Sequence, residues 1–290
     1  MSPFSVVFCG TSAFALPCLE ALSGDGRFRV TAVITQPDKP VGRKQLLTPP
    51  PVKTLAQRLG LPVFQPVKIN AEWKELAGKM EKPDFLVAVS YGQILSQEIL
   101  DFATKAPVNV HASLLPELRG ASPIQHAVLL NHAKSGVTVQ RMVKELDAGP
   151  VLGQTELPLE ERETTSALHD KLAAAGAALL LSTLAKPLKE VPQDASKATF
   201  CRKLSRTDGV VDPAAMSAAD IDRRVRALTP WPGVSWNDMK LLETSLIPHA
   251  DAYPVPCAGS TTLYVLSLQP AGKKPMQGAA YARGLRSPSL

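Results

Sequence analysis

The chain has 290 residues, of which 45% are hydrophobic, and its formal net charge is +6. This length and composition suit one large or two ordinary domains with a sizeable buried core. No uninterrupted apolar stretch approaches the roughly 20 residues that a membrane-spanning helix needs, which excludes a membrane protein of that kind.

The cellular context is predicted from the N-terminus and the cysteines. The first residues enter a strand pattern almost at once, without the features of a secretory signal peptide. Four cysteines, at positions 9, 18, 201 and 257, have neither metal-ligand spacing nor the density of a disulfide framework. We therefore expect reduced, mostly buried thiols and a cytoplasmic protein with no membrane partner.

Basic charge is concentrated in one loop and in the C-terminal third. From residue 201 onward there are 11 Lys and Arg against 7 Asp and Glu, whereas residues 1–200 hold 21 against 19. The segment Gln36–Lys53 carries four basic residues and one acidic residue. Such an excess suits a phosphate-rich partner, although it can equally serve solubility alone.

The N-terminal half alternates strand and helix patterns. Phe4–Cys9, Phe28–Ile34 and Asp84–Ser90 are short, apolar and rich in β-branched residues, and a helical spacing of apolar residues follows the first of them. This alternation predicts an α/β fold with a Rossmann-like, doubly wound parallel sheet. The turn that starts at Gly10 has one glycine where a dinucleotide-binding fingerprint needs three, so we do not expect NAD(P) or FAD to bind there.

The segment Asn109–Pro116 supplies groups suited to acyl transfer. Side chains alternate along an extended segment, which directs Asn109, His111 and Ser113 to one side. Asn109 can donate a hydrogen bond to a developing oxyanion, His111 can move a proton near neutral pH, and Asp147 could orient the imidazole. The alternative, on this segment alone, is a structural histidine beside an apolar run.

The position of Asp147 and the division of the chain follow from the later segments. Gly136–Val143 is predicted as a strand, and ligands of open α/β sheets lie beyond the carboxyl ends of strands, where we expect His111 and Asp147 to meet. The proline-rich stretch near residue 190 has the composition of a linker. We predict a catalytic domain at 1–188, a linker at 189–205 and a β-rich C-terminal domain at 206–290.

Several motifs carry a resemblance that covers nearly the whole chain. They are Val7-Phe-Cys-Gly-Thr11, Thr35-Gln-Pro-Asp-Lys-Pro-Val-Gly-Arg43, Pro51-Val-Lys53, Gly60-Leu-Pro-Val-Phe-Gln-Pro66, Asn109-Val-His-Ala-Ser-Leu-Leu-Pro116, Arg119-Gly120, Leu146-Asp-Ala-Gly149, Pro230-Trp-Pro232 and Leu266-Ser-Leu-Gln-Pro-Ala-Gly-Lys-Lys-Pro-Met276. With these motifs the chain resembles the methionyl-tRNA formyltransferase family. The Asn-x-His segment is shared with other 10-formyltetrahydrofolate-using enzymes, whereas the Gln36–Arg43 loop is more particular to the tRNA enzymes.

The resemblance implies a Rossmann-like formyltransferase domain followed by a β-barrel-like (OB-type) domain that helps to hold tRNA. The implied reaction moves a formyl group from 10-formyltetrahydrofolate to the α-amine of methionine on initiator tRNA. By position, Asn109, His111 and Asp147 match the family's catalytic residues. Neither a metal nor a covalent enzyme intermediate is implied.

The resemblance also implies the binding residues. Folate-binding residues are expected at Tyr91, Gly92, Ser113, Leu114, Leu115 and Pro116. Residues that contact tRNA are expected at Arg43, Lys44, Lys273 and Lys274, where guanidinium and ammonium groups can engage phosphate. We expect a monomer.

Some positions depart from the family pattern. Glu117 and Leu118 replace a basic and an aromatic residue, Lys44-Gln45 replaces a glycine and a basic residue, and the C-terminal domain looks shortened. Two alternatives therefore remain open at this point. The first is a formyltransferase that acts on an amino sugar or another small amine, and the second is an inactive relative that only binds RNA.

Overall fold

The computed structural model describes residues 2–42 and 44–286. Its strands are β1 (Phe4–Gly10), β2 (Phe28–Ile34), β3 (Lys39–Val41), β4 (Leu46–Thr48), β5 (Val63–Phe64), β6 (Phe85–Val89), β7 (Ala106–His111), β8 (Arg119–Gly120), β9 (Lys134–Arg141), β10 (Val151–Pro158), β11 (Phe200–Cys201), β12 (Val234–Trp236), β13 (Met239–Ser245), β14 (Tyr253–Cys257), β15 (Thr261–Pro270) and β16 (Met276–Gln277). Its helices are α1 (Leu16–Gly24), α2 (Pro51–Arg58), α3 (Ile69–Ala77), α4 (Gln97–Leu100), α5 (Pro123–Leu129), α6 (Thr165–Leu184), α7 (Ala218–Leu228) and α8 (Gly278–Arg286).

The chain divides into two compact units, each built from three separate stretches of the sequence. The first contains the residues up to Gly120, Lys134–Pro158 and His169–Phe200, and the second contains Ala121–Ala133, Leu159–Leu168 and the residues from Cys201 onward. Residues 189–200 of the predicted linker thus belong to the first unit. The assignment of a catalytic domain to 1–188 and an RNA-binding domain to 206–290 stays a prediction.

The first unit is built on a seven-stranded sheet in the order β10-β9-β7-β6-β1-β2-β5. The five strands from β7 to β5 are parallel, which confirms the predicted α/β class, and β6 is buried along its whole length. The sheet is mixed rather than wholly parallel, because β9 and β10 run antiparallel at one edge. Half-buried and exposed residues alternate in the second half of β10, as expected for an edge strand with one solvated face.

The two faces of this sheet have different neighbours. Cys9, Ala88, Asn109 and Gln140 are paired in register across β1, β6, β7 and β9, so their side chains share one face. Cys9 and Ala88 pack there in a core cluster with residues of α3 and α4. On the other face Gly176 of α6 approaches the side chain of Val110 closely, since a Cβ there would come within 3.1 Å of it. The sheet is thus covered on both sides. The Asn109 side chain lies on the same face of the sheet as the residues that pack against α3.

The second unit contains the predicted β-rich part of the chain. β12, β13, β15 and β14 form an antiparallel sheet, and β16 pairs with β15. Ser217 caps α7 by accepting a hydrogen bond from the Asp220 N–H, and Ile221 and Val225 are buried. The apolar spacing in the sequence therefore identified the buried face of α7.

The cysteines and the helices bear on the predicted class of protein. All four cysteines are free, and three of them are buried. Burial raises the pKa of the Cys9 and Cys18 thiols to about 12, which makes both poor nucleophiles. In the described part of the chain, no helix is both long enough and apolar enough to cross a bilayer.

Candidate active site

Strand β7 places Asn109 and His111 at its carboxyl end. The two side chains are two residues apart and share one face, as predicted from the strand period. His111 is 7% exposed, whereas Asn109 is half-buried. Among the described residues the Asn109 carboxamide makes no hydrogen bond, so both its donors and its oxygen are available to a ligand.

The imidazole of His111 lies between two acceptors. Its Nε2 is 2.9 Å from the Leu118 carbonyl oxygen, and because a carbonyl can only accept, Nε2 carries a proton in this arrangement. Its Nδ1 is 3.7 Å from Oδ1 of Asp147, which is apposition rather than a formed hydrogen bond. An imidazolium could donate to both neighbours, whereas a neutral imidazole could donate to one.

Asp147 reaches His111 by a route that the sequence did not predict. The expectation that both residues follow carboxyl ends at one edge of the sheet is wrong, because β9 is antiparallel to β7 and its carboxyl end points the other way. Instead, the loop 142–150 folds back toward β9. There Oδ1 of Asp147 accepts from Nε2 of Gln140 at 3.0 Å, and Oδ2 accepts from the Gly120 N–H at 2.9 Å.

The backbone of the loop that carries Asp147 is constrained at two positions, Asp147 and Gly149. Asp147 has φ +53°, in the left-handed region that few non-glycine residues occupy. Gly149 packs directly against the Arg141 carbonyl, so that an added Cβ would clash with it. Nε2 of Gln193 donates to the carbonyl oxygens of Asp147, at 2.8 Å, and of Gly149, at 2.6 Å. The Leu146–Gly149 motif is therefore explained by the loop geometry as well as by the carboxylate.

Side chains of β9 and β10 hold the predicted folate segment by hydrogen bonds to its backbone. The hydroxyl of Thr138, which is fully buried, donates to the Ser113 carbonyl and accepts from the Leu115 N–H. Nε2 of Gln154 donates to both the Leu115 carbonyl and the Thr138 hydroxyl. Ser113 is itself buried, and its hydroxyl donates to the Glu117 carbonyl at 2.6 Å. Leu114 and Pro116 are left half-buried.

The departures at Glu117 and Leu118 do not disturb this geometry. Both residues contribute main-chain carbonyls, Glu117 to Ser113 and Leu118 to His111. Because every residue type carries the same carbonyl, the contacts do not depend on the side chains at these two positions.

Tyr91 and Gly92 lie after β6. The ring of Tyr91 belongs to the core cluster, and its hydroxyl is buried without a hydrogen-bond partner in the described residues. Burial raises the pKa of this phenol. The Tyr91 carbonyl accepts from the hydroxyl of Thr11 and from Nε2 of Gln36. Gly92 has φ +86° and is exposed. Because the Tyr91 side chain is buried in the core, a folate contact at this pair is expected from the main chain around Gly92 and not from the Tyr91 ring.

The residues predicted to contact RNA are exposed where they are described. Arg43 lies outside the described residues. Lys44 is exposed in the turn between β3 and β4, and Lys273 and Lys274 are exposed in the turn between β15 and β16. The roles of all four stay predictions.

The second unit has a cavity of about 430 Å³ that contains none of the predicted site residues. Among its lining residues, Arg202 makes an ion pair with Asp208, and Arg223 lies 3.4 Å from Asp220. Arg224 donates to the Asp208 carbonyl. These arginines are bonded to acidic side chains and to a carbonyl of the same unit.

In the described part of the chain, no group of three or more His, Cys, Asp or Glu side chains is arranged to hold a metal ion.

Four polar residues support the site and were not predicted from the sequence. Gln140, Gln154, Gln193 and Thr138 are isolated in sequence from the motif that they hold. Thr138 and Gln140 could have been found, since polar residues that stand in an otherwise apolar strand need partners. Gln193 gives no comparable signal, because it stands in a polar, proline-rich segment.

Models of two protein families match the chain. The model described as "Formyl transferase" matches residues 4–184, and "Formyl transferase, C-terminal domain" matches residues 203–286. A methionyl-tRNA formyltransferase of Geobacillus sp. (strain WCH70) is 42% identical over 300 residues, which cover 96% of this chain and 94% of that protein. The chain belongs to the methionyl-tRNA formyltransferase family. The family member from Bacillus subtilis (strain 168) is 38% identical over 300 residues, with the same coverage of both chains.

Solved structures share the fold of this methionyl-tRNA formyltransferase family member at low identity. The N-formyltransferase of Helicobacter canadensis, in complex with folinic acid and dTDP-3-aminofucose, has a TM-score of 0.68 at 16% identity and covers 90% of this chain and 98% of its own. HypX from Aquifex aeolicus, in complex with tetrahydrofolic acid, has a TM-score of 0.65 at 14% identity. The match covers 98% of this chain, which spans 47% of that protein.

Proposed function

We propose that this protein transfers a formyl group from 10-formyltetrahydrofolate to the α-amine of methionine on initiator tRNA. The observation that carries the proposal is the meeting of Asn109, His111 and Asp147 on one face of the sheet in a chain of the methionyl-tRNA formyltransferase family. Folate-bound structures of the same fold support a folate co-substrate. The monomeric state and the cytoplasmic location stay predictions.

The reaction exchanges one C–N bond for another. The amine nitrogen attacks the formyl carbon, and the carbonyl electrons move to the oxygen to give a tetrahedral oxyanion. The attacking nitrogen loses a proton, the bond from carbon to N10 breaks, and N10 takes up a proton. The products are the N-formyl amine and tetrahydrofolate, and no oxidant or reductant is consumed.

Asn109 and His111 stabilise the oxyanion in this proposal. The free Asn109 carboxamide donates to the oxygen, and the neighbouring imidazolium supplies positive charge in a site with little solvent. The Asp147 carboxylate lies opposite Nδ1 of this ring, at 3.7 Å. Asp147 thereby stabilises the charged ring while protons are relayed between the amine and N10.

The folate site is proposed around the Ser113–Pro116 segment and Gly92. The hydrogen bonds from Thr138 and Gln154 fix the backbone of the segment. This leaves Leu114 and Pro116 as half-buried apolar groups, which suit the flat face of a pterin or benzoyl ring. The position of the segment, directly after His111, would present the N10 substituent to the catalytic residues.

The acceptor assay tests the proposed function directly. The protein is mixed with 10-formyltetrahydrofolate and with methionine-charged initiator tRNA, methionine-charged elongator tRNA or a nucleotide-linked amino sugar, and the formylated product of each is measured. We expect strong formylation of initiator tRNA alone. A preference for the amino sugar would instead assign a small amine as the acceptor, and product from none of the three would overturn the enzymatic proposal.

The RNA contacts need a separate test. Replacement of Arg43 or Lys44 by alanine is expected to weaken tRNA binding and to reduce the slope of log affinity against log salt by about 1 for each lost phosphate contact. Lys82→Ala is the matched control, because Lys82 is also exposed but lies outside the basic loop. An unchanged slope in both variants would contradict the role of the loop, whether or not the enzyme formylates tRNA.

A further inference from the structure

Gln193 links the Asp147 loop to a buried arginine. It comes from the proline-rich stretch after α6 and is half-buried. Its Nε2 donates to the main-chain carbonyls of Asp147 and Gly149, and its Oε1 accepts from Nε of Arg119, at 3.1 Å, and from Nη2, at 2.8 Å. Its Nε2 also donates to Oε1 of Gln140, at 3.4 Å. One carboxamide therefore makes five hydrogen bonds and joins Arg119, strand β9 and the Asp147 loop.

The orientation of this carboxamide is determined by its neighbours. A guanidinium can only donate, so it must face the oxygen of Gln193. The two loop carbonyls can only accept, so they must face the NH₂ group. If the amide were reversed, donors would face donors and acceptors would face acceptors on both sides at once. Only one orientation satisfies the contacts, and Arg119 enforces it.

Arg119 suits this purpose because it has no competing acid. It is 5% exposed, and in the described residues no carboxylate lies within ion-pair distance of its guanidinium. A hydrogen bond from a charged donor is stronger than a neutral one, and a bidentate contact also fixes direction. The buried guanidinium is thus directed at Gln193 rather than at an ion-pair partner.

The loop needs such a contact because of its own conformation. Asp147 has a positive φ, a conformation that persists in a non-glycine residue only when its surroundings hold it. The Asp147 carboxylate is held by Gln140 and Gly120, whereas the main-chain carbonyls on either side of Ala148 are held by Gln193. The side chain and the backbone of Asp147 are therefore held by different residues, and a longer hydrogen bond of 3.4 Å from Gln193 to Gln140 connects the two supports.

We propose that Gln193 is a positioning residue for the reaction, which holds the Asp147 loop so that the carboxylate stays opposite Nδ1 of His111. This inference rests on the proposed catalytic role of Asp147. Gln193 touches none of the three proposed catalytic side chains. It acts through the backbone of Asp147, and Arg119 acts through Gln193.

The decisive variant is Gln193→Glu. A glutamate can still accept from Arg119, which preserves the buried contact, but it places an oxygen against the two loop carbonyls instead of two N–H donors. We expect kcat to fall by roughly 10- to 100-fold with little change in KM, because a displacement of about 1 Å in a reacting group can cost on the order of 100-fold. Gln193→Leu removes both contacts. Gln57→Glu is the control, since Gln57 is exposed on α2 and its side chain makes no hydrogen bond in the described residues.

A double-mutant cycle separates positioning from general destabilisation. If Gln193 acts through Asp147, then Gln193→Glu will lower kcat strongly in the wild-type background and by less than about threefold in the Asp147→Ala background. Equal losses in the two backgrounds, or an unchanged kcat in the first, would overturn the proposal.

Amide hydrogen exchange tests the same contact without any activity. We expect faster exchange in Gln193→Glu at Gly120, whose N–H is bonded to Asp147, and across residues 142–150, with unchanged exchange elsewhere in the sheet. Absence of formylation by the wild-type protein would contradict the proposed function. The exchange rates at Gly120 and in the loop would still show whether Gln193 holds the Asp147 loop. Unaltered exchange at Gly120 and in the loop would overturn the positioning role of Gln193.

Discussion

Two polar regions of the first unit are built in opposite ways. Around His111 and Asp147, polar side chains are buried and bonded to groups from distant parts of the sequence, such as Gly120, Gln140 and Gln193. In the hairpin of β3 and β4, all six strand residues are exposed, and the described hydrogen bonds of its turn join neighbours. The hairpin is fixed at its base, where Asp38 binds Lys53 and Gln65.

The difference matches what the two regions are proposed to do. An oxyanion must be met by groups that are already in place, since reorganisation during the reaction would raise the barrier. A nucleic acid surface is met mostly through charge, which acts over several ångströms and does not require a fixed rotamer. Substitutions should therefore have large effects on rate in the first region and small, salt-dependent effects on affinity in the second.

The largest effect is expected from His111→Ala. Loss of a proton-transferring group commonly costs between roughly 100-fold and 10,000-fold in rate, so kcat should fall within that range while KM for both substrates changes little. His132→Ala provides the control, since His132 lies outside the cluster. If His111→Ala retained wild-type formylation, the catalytic assignment would be wrong, and the buried imidazole would be a structural group bonded to Leu118.

A smaller loss of rate is expected from Gly149→Ala. The added methyl group would clash with the Arg141 carbonyl, so the loop must move and carry Asp147 with it. Overpacking of this kind costs about 1–3 kcal/mol in the free energy of unfolding, and kcat should fall by about tenfold or more. Both are measured by urea denaturation and steady-state kinetics. Gly24→Ala, where an added Cβ meets nothing within 4 Å, should change neither; a fully active Gly149→Ala would show that the loop tolerates displacement.

Thr138→Val should affect stability more than rate. The change keeps the shape of the side chain but leaves the buried Leu115 N–H without its partner, which costs about 1–3 kcal/mol of unfolding free energy. Because the folate segment loses this support, KM for the folate should rise severalfold, with a smaller change in kcat. Thr54→Val on the exposed face of α2 is the control. An unchanged KM would argue against folate binding at Ser113–Pro116.

The sequence predicted the part of this organisation that depends on local pattern. The parallel strands β1, β2 and β6 were predicted within one residue at each end, because buried parallel strands are short apolar runs with clear limits. The alternation in β7 correctly placed Asn109 and His111 on one face. Both predictions use only information that neighbouring residues carry.

The remaining features depend on contacts between distant segments. The direction of β9 is not encoded in its own residues, since an apolar strand has the same pattern in either direction. Gln193 bonds to residues that lie more than forty positions away, and its surroundings in sequence are those of a linker. Such contacts leave no local period, and a single sequence therefore does not show them.

The smallest predicted effect concerns the pKa of Asp38 at the base of the hairpin. Hydrogen bonds from Gln65, and after them from Lys53, hold the pKa of the Asp38 carboxyl below its ordinary value. Because the folded pKa is the lower one, the contribution of Asp38 to stability is complete above the ordinary pKa of about 4. It is lost as the pH falls through the folded pKa.

A carboxyl-carbon NMR titration of Asp38 would measure this contact. The midpoint should lie below the ordinary value in the wild-type protein and should move toward it in Gln65→Leu and in Lys53→Met, with the larger change in Gln65→Leu. Lys44→Met is the control, since Lys44 belongs to the hairpin region but makes no described contact with Asp38. A midpoint that stays at the wild-type value in both test variants would mean that Gln65 and Lys53 do not hold Asp38 in solution.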